Sequence, residues 1–316
     1  MKRSNRKRLE EILMATGLGS LWSYFEDEGI DDSVVDELTE ADLERIGIER
    51  MGDRKRIIVA IRETKGWVKP VEAPSSFVGA EMVEVEGGVL PADSEVSEKR
   101  VGRFWVGKYA VTWGEWKEVR EWAVEKGYEV EEGRGEGEKY PVTNVSWYSA
   151  VKWCNARSEK EGLGLVYYVM GGLFEGAEVY RSGADDEIEI NREANGYRLP
   201  RDGEWEWAGS GGVEGMGYGY SGSNDLGEVG WYRDNSMGQV HEVGMKKANE
   251  LGMYDMSGNV WEWCFDWWGS AEADRVNRGG SWLSHENIAR VSIRYSYDPS
   301  LSIISGGFRV VRSSVP

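Results

Sequence analysis

Residues 252–263 read Gly-Met-Tyr-Asp-Met-Ser-Gly-Asn-Val-Trp-Glu-Trp, and Arg278-Gly279-Gly280-Ser281-Trp282 and Gly307-Phe308-Arg309 answer them near the end of the chain. Three tryptophans interleaved with Gly, Asp, Asn and Glu make a poor amphipathic helix and a good turn-rich core. Aromatic bodies supply the burial there, and short polar residues hold irregular backbone. The chain has 16 Trp and 42 Gly in 316 residues, which argues for much loop packed on aromatic anchors. A helix bundle is excluded, and the length leaves room for one large or two unequal domains.

A formal charge of −18 opposes a phosphate backbone, so no nucleic-acid partner is expected. The basic run Lys2 to Arg8 is short and reads as a solvated tail. Glu10 and Glu11 interrupt the approach to Ile12-Leu13-Met14, so no signal peptide is read. No stretch is long and apolar enough to span a bilayer, so no membrane partner is expected. Cys154 and Cys264 form no disulfide framework, which suits a reducing compartment, with a single bridge left open. The expectation is a soluble, cytoplasmic protein.

From Arg8 to about Gly66, apolar residues recur at helical spacing. Thr39-Glu40-Ala41-Asp42 is a capping box, and Gly47 and Gly52 fit helix stops. The segment around Leu38 to Ile48, followed by Gly52 to Ile58, resembles a sterile alpha motif domain, with Trp22 and Phe25 in its first helix and Ile30 in a loop. That resemblance implies an all-α, five-helix interaction domain over residues 1–67 that self-associates or recruits a partner. Pro70, Pro74, Ser75 and Ser76 mark residues 68–81 as a linker.

From Met82 the period becomes strand-like, at Met82–Val85 and again at Phe104–Val111. Thr112 is placed to cap an amphipathic helix. A second helix is expected over Tyr148–Glu161, with Ala150, Val151, Trp153 and Cys154 inward. Glu129 to Lys139, rich in Glu and Gly, reads as a solvated loop. Cys154 and Cys264 sit beside Trp in apolar runs and read as buried thiols.

Taken with Tyr197-Arg198-Leu199-Pro200-Arg201-Asp202-Gly203-Glu204-Trp205-Glu206-Trp207-Ala208, the segments Gly107-Lys108-Tyr109, Pro141 to Trp147, Gly258 to Trp263, Arg278 to Trp282 and Gly307 to Arg309 form an ordered series. It resembles the formylglycine-generating enzyme family. The resemblance implies an α+β fold, a variant of the C-type lectin domain, over residues 82–316, with two helices against twisted, mostly antiparallel strands.

Enzymes of that family hold copper with two cysteines after Gly-Gly-Ser-aromatic. The matching positions here are Ser284 and Ala289, neither of which supplies the thiolate that Cu(I) prefers. A related branch uses three histidines for iron, and this chain has only His241 and His285. The expectation is therefore a non-enzyme; the alternative is a family enzyme of altered, non-copper chemistry. The family's structural Ca²⁺ site maps onto Asp255, Gly258, Val260 and Glu262, two carboxylates and two backbone carbonyls that suit a hard cation. The competing reading has both acids capping turns.

Residues 283–305 break with the rest of the chain: they contain no Lys, Gln, Met or Trp. Their Leu, Ser, His, Asn, Ile, Val, Tyr and Asp can each be encoded by a codon ending in C, which is what randomising the two adenines of an AAC codon yields. Ala289-Arg290, Arg294, Pro299 and Gly307-Phe308-Arg309 look like fixed elements. A segment of about 282–308 framed in this way resembles that of the variable proteins of diversity-generating retroelements. The resemblance implies a diversified face for protein or other macromolecular ligands, borne by Leu283, Ser284, His285, Asn287, Val291, Ile293, Tyr295, Tyr297, Asp298, Ser300, Ser302 and Ile303. Rigid Tyr and adaptable Ser and Asn suit such recognition. Ile303 and Ile304 are apolar enough to serve either the face or the core.

Overall fold

Contacts in the computed structural model divide the chain into residues 1–76 and 77–316. The second unit is described over residues 81–169, 178–184, 188–271 and 273–313; the first at Leu13, Phe25, Leu38, residues 40–48, Arg54 and Ile57. In the first unit, helix α1 (Glu40–Arg45) carries Leu43 into a core that also buries Leu13, Phe25, Ile46, Ile48 and Ile57. The Arg54 guanidinium donates to the Ile48 carbonyl at 2.9 Å. The other expected helices, Trp22, Ile30, the Thr39 cap and most of the 68–81 linker lie outside the described residues.

The second unit's two long helices begin where their caps place them. Thr112 accepts from the Glu115 amide while the Glu115 carboxylate accepts from the Thr112 amide, starting α2 (Trp113–Glu125). Ser146 accepts from the Ser149 amide and starts α3 (Trp147–Lys160), one residue ahead of the expected helix. The helices pack through aromatic faces: the Trp116 and Trp153 rings stack at 5.9 Å, and Phe308 meets both edge-on. Each indole N–H finds a carbonyl, Trp116 on Glu132 and Trp153 on Trp116, so burial leaves neither donor orphaned.

Two four-stranded sheets carry the rest. β1 (Met82–Val85), β4 (Phe104–Gly107), β13 (Val311–Ser313) and β8 (Tyr197–Arg198) pair antiparallel in that order. The alternation of residues 104–111 continues past Gly107, but the strand stops there as the chain turns toward the Thr112 cap. The short β2 (Gly88–Val89) and β3 (Arg100–Val101) pair beside them, and β5 (Tyr167–Val169) joins β6 (Glu178–Val179) and β7 (Ile188–Ile190).

The second sheet runs β11 (Arg294–Tyr297), β10 (Arg275–Arg278), β9 (Trp261–Trp267), β12 (Gly306–Phe308). Only its β12–β9 pair is parallel, and Phe308 thereby comes opposite Trp263. Between the sheets lies α4 (Asp202–Gly209), followed by a short α5 (Leu226–Val229). α4 presents Asp202 and Glu206 to the interior one turn apart, and Arg278 of β10 lies between them. Its Nε donates to Asp202 at 2.6 Å and its Nη2 to Glu206 at 2.7 Å, with no exposed side-chain surface. Burial would lower the Arg278 pKa, but the two carboxylates hold it above its usual value. Arg294 closes on the second oxygen of Asp202 at 2.7 Å.

A second buried pair joins Arg309 to Glu262: Nε and Nη2 engage one carboxylate oxygen each, and Trp205 Nε1 adds a bond at 2.6 Å. Arg309 also donates to the carbonyls of Gly107 and Tyr254, tying both sheets and the 252–263 stretch to one guanidinium. Arg278→Ala leaves Glu206 buried without its cation and Asp202 with Arg294 alone, and the expected loss is about 3–5 kcal/mol of unfolding free energy. Arg103→Ala removes only exposed pairs with Glu84 and Glu86, and the expected loss is under about 1 kcal/mol. Urea denaturation of the two variants checks the contrast.

Candidate functional site

The 283–304 segment leaves the core and returns to it at neighbouring points. The Trp282 amide donates to the Asn259 carbonyl where it leaves, and the Trp261 amide to the Ser305 carbonyl where it returns. Two left-handed glycines next to these points allow close packing of the neighbouring backbone. A Cβ on Gly258 (φ 96°) would lie 2.3 Å from the Trp231 carbonyl oxygen, and one on Gly280 (φ 74°) 3.0 Å from the Ala289 Cα. Between the two ends the backbone makes a 3₁₀ turn (Glu286–Ile288), the edge strand β11 and the 298–304 loop.

The segment is held largely through its main chain. Arg278 Nη1 donates to the Val291 and Ile293 carbonyls, and the Arg233 amide to the Ser284 carbonyl. Asn144 reaches the Ile303 carbonyl and Trp147 the Pro299 carbonyl, both through their amides. A carbonyl acceptor is present whatever side chain its residue carries.

Eleven of the twelve expected face residues are at least partly exposed, and one is not. Val291 is only 5% exposed and packs in the core with Val276, Trp205 and Met256. This corrects its assignment to the ligand face: in irregular backbone the alternation that would have shown its direction is lost. Leu283 and Tyr295 are each 46% exposed. Asn287 and His285 are exposed on and before the 3₁₀ turn, where His285 Nε2 lies 2.8 Å from Arg233. The Ser284 hydroxyl accepts from the Ser281 amide. Ile293 is half-buried.

Tyr297 is half-buried, edge-on to Trp261 and Trp263, and Tyr295 leans on Trp261 at 5.4 Å, so both rings are preset. Asp298 accepts from Ser300, and both are exposed. The Ser302 hydroxyl donates to Glu131, whose carboxylate also accepts from the Ser146 amide. The 129–139 segment is therefore not simply solvated: it braces the face and buries Val130. Ile303 is half-buried. Ile304 (56% exposed), left open between face and core, joins the face, and so does Leu301 (45%), which was not assigned to it; the signal available for Leu301 was its place between two serines.

No thiol stands in the segment. Ala289 is fully buried, and Cys154 and Cys264 are free, buried and raised in pKa by burial, as inert core thiols should be. His241 stacks on Trp231 at 3.8 Å and lies 2.8 Å from the Ser236 carbonyl, a packing role.

The four positions matched to calcium do not form a fitting donor set. Asp255, in left-handed backbone, accepts from the Gly244 amide through Oδ2 and leaves Oδ1 buried without a partner; burial raises its carboxyl to about 6. Glu262, however, gives both oxygens to the Arg309 guanidinium. Gly258 and Val260 are buried beside them. One available carboxylate is too few for the expected site, and no group of three or more His, Cys, Asp or Glu among the described residues is disposed to hold a metal.

Two helices on twisted sheets, a Trp-Gly core and a long C-terminal excursion define a formylglycine-generating-enzyme-type C-type lectin domain. The chain belongs to the family of the sulfatase-modifying factor enzyme 1-like domain, which matches residues 69–314, and residues 2–65 match the SAM (sterile alpha motif) domain.

It is 39% identical to "Chaperone protein LppX" of Paenibacillus barcinonensis over 76% of this chain and 91% of that one. Among solved structures it is similar to CarF (TM-score 0.65, 27% identity, 74% of this chain and 98% of that one). It is also similar to Treponema denticola variable protein 1 (TM-score 0.60, 29% identity, 73% and 94%). The family includes a Bos taurus protein named as an inactive Cα-formylglycine-generating enzyme 2, 33% identical over 36% of this chain and 43% of that one. No helix among the described residues is long and apolar enough to cross a membrane.

Val291→Ser is expected to cost about 2–3 kcal/mol of stability, and Leu283→Ser under about 0.5 kcal/mol, in urea denaturation. Dialysis against EDTA, followed by added calcium, is expected to leave the melting temperature unchanged; a calcium-dependent rise would restore Asp255 and Glu262 as ligands.

Proposed function

We propose that the protein is a non-catalytic binder whose 283–304 face takes a macromolecular ligand, with a protein as the favoured partner. On this reading the face is diversified by a retroelement, and the SAM domain recruits a partner or self-associates in the cytoplasm. One observation carries it: four of the twelve exposed large apolar side chains of the described residues, Leu283, Tyr295, Leu301 and Ile304, fall in this one short segment. Exposed apolar groups on a braced backbone are what an interface needs, because little ordering is required when the partner arrives. The positions matched to the family's copper ligands, Ser284 and Ala289, supply no thiolate, which supports binding over oxidation.

Sequencing the gene and its flanks is expected to find an imperfect copy of the codons for residues 282–308. Its mismatches should fall at adenines, with a reverse-transcriptase gene nearby. Exchanging the exposed residues of the segment for those of another copy is expected to change the captured ligand while the melting temperature holds. Loss of folding in the exchange, or an absent copy, would count against diversification.

A further inference from the structure

A cavity of about 340 Å³ is bounded by β3, the turn after β7, the start of α4, the end of β9 and, from the 283–304 segment, Arg294. Six arginines line it: Arg100, Arg103, Arg192, Arg198, Arg201 and Arg294. A second opening shares Arg192, Arg201, Phe265, Asp266 and Trp267 with it, so the two form one cleft. A concentration of guanidinium groups in a chain of net charge −18 calls for an account.

Structural pairing explains only some of them. Arg198 is buried and grips Glu204 with two bonds of 2.7 Å; burial alone would raise the Glu204 carboxyl, but Arg198 holds it below its usual value. Arg294 is bound to Asp202, and Arg103 to Glu84 and Glu86. Arg100 and Arg192 are exposed, and their guanidinium groups have no hydrogen-bond or ion-pair partner among the described residues. Among the described residues the Arg201 guanidinium reaches only the exposed Glu98, at 3.3 Å.

The cleft's acids are largely committed. Asp202 serves Arg278 and Arg294, and Glu204 serves Arg198. Asp266 accepts the Asp202 amide, and burial pushes its carboxyl toward the neutral form. Glu98, the remaining acid of the lining, is exposed and paired with Arg201. The uncommitted charge is therefore positive, on Arg100 and Arg192, with Arg201 beside them held by that one exposed pair.

We propose that this cleft binds a small phosphorylated molecule through Arg100, Arg192 and Arg201. Guanidinium forks match phosphate oxygens two at a time, a geometry that lysine lacks. The volume is that of a small-molecule site, and Phe265 and Trp267 give it an aromatic wall. The overall negative charge does not forbid this, since at physiological salt fields are screened within about 8 Å and the local guanidinium groups dominate. The 283–304 segment lends the cleft only Arg294, which is committed to Asp202, so the site stands whether or not that face is diversified.

Titration calorimetry of the full-length protein with sodium pyrophosphate and, separately, with AMP tests it. One-to-one binding of either probe is expected, weakened about tenfold or more in the Arg100→Ala/Arg192→Ala double variant and unchanged in Arg290→Ala. Tighter binding of AMP assigns the aromatic wall to a ring, and tighter binding of pyrophosphate assigns the cleft to phosphate alone. Both variants alter exposed side chains, so a melting curve like the parent's is expected of each. No heat from either probe at millimolar concentration, or binding that survives the double variant, would overturn the proposal.

Discussion

The bonds between Arg278, Asp202 and Glu206 and between Arg309 and Glu262 are the ones on which the rest of the structure depends. Each brings together residues more than 45 positions apart, and each places a full charge where water cannot reach it. Such pairs contribute little net stability compared with a well-packed apolar core, but breaking one strands a buried charge. Their effect is therefore to penalise every alternative arrangement of α4, β9 and β10. A chain with 42 glycines and few long strands needs such a constraint, because its loops have little regular hydrogen bonding to define them.

The same constraint separates the stability of the 283–304 segment from its composition. Arg278 holds the segment by the Val291 and Ile293 carbonyls, and Arg233, Asn144 and Trp147 hold it by other carbonyls. Carbonyl oxygens do not change when side chains do. Tyr295 and Tyr297 lean on Trp261 and Trp263, which belong to the framework, so even the ring orientations rest on residues outside the segment. A surface held in this way can carry new side chains without a new fold.

Much of this was legible in the sequence, for identifiable reasons. The Thr112–Glu115 box and the Ser146 cap mark both helix starts, because capping chemistry is local. Trp-rich motifs locate the core because so large an apolar body has few places to go. The acidic pair Asp202 and Glu206, spaced one turn apart on a helix face that Glu204 does not share, is a sequence signal for a buried cation; two like charges at that spacing repel unless a cation lies between them. Glu262 was assigned to calcium for a related reason. Sequence shows which residues carry oxygen ligands, but not that Arg309, 47 positions later, reaches them first.

Val291 shows where composition stops being a guide to direction. Its residue type is shared with exposed neighbours, yet it packs beside Trp205 and Met256, with its Cγ1 3.2 Å from where a Cβ on Gly209 would sit. If the segment is diversified as proposed, its positions are not equivalent. A polar replacement at Leu283 or Tyr295 changes only what the face presents to a partner. The same replacement at Val291 places an unpaired polar group in the core beneath Arg278. Selection for folding would then keep position 291 apolar whatever happens at the nucleotide level, and burial would set the limit of the usable repertoire.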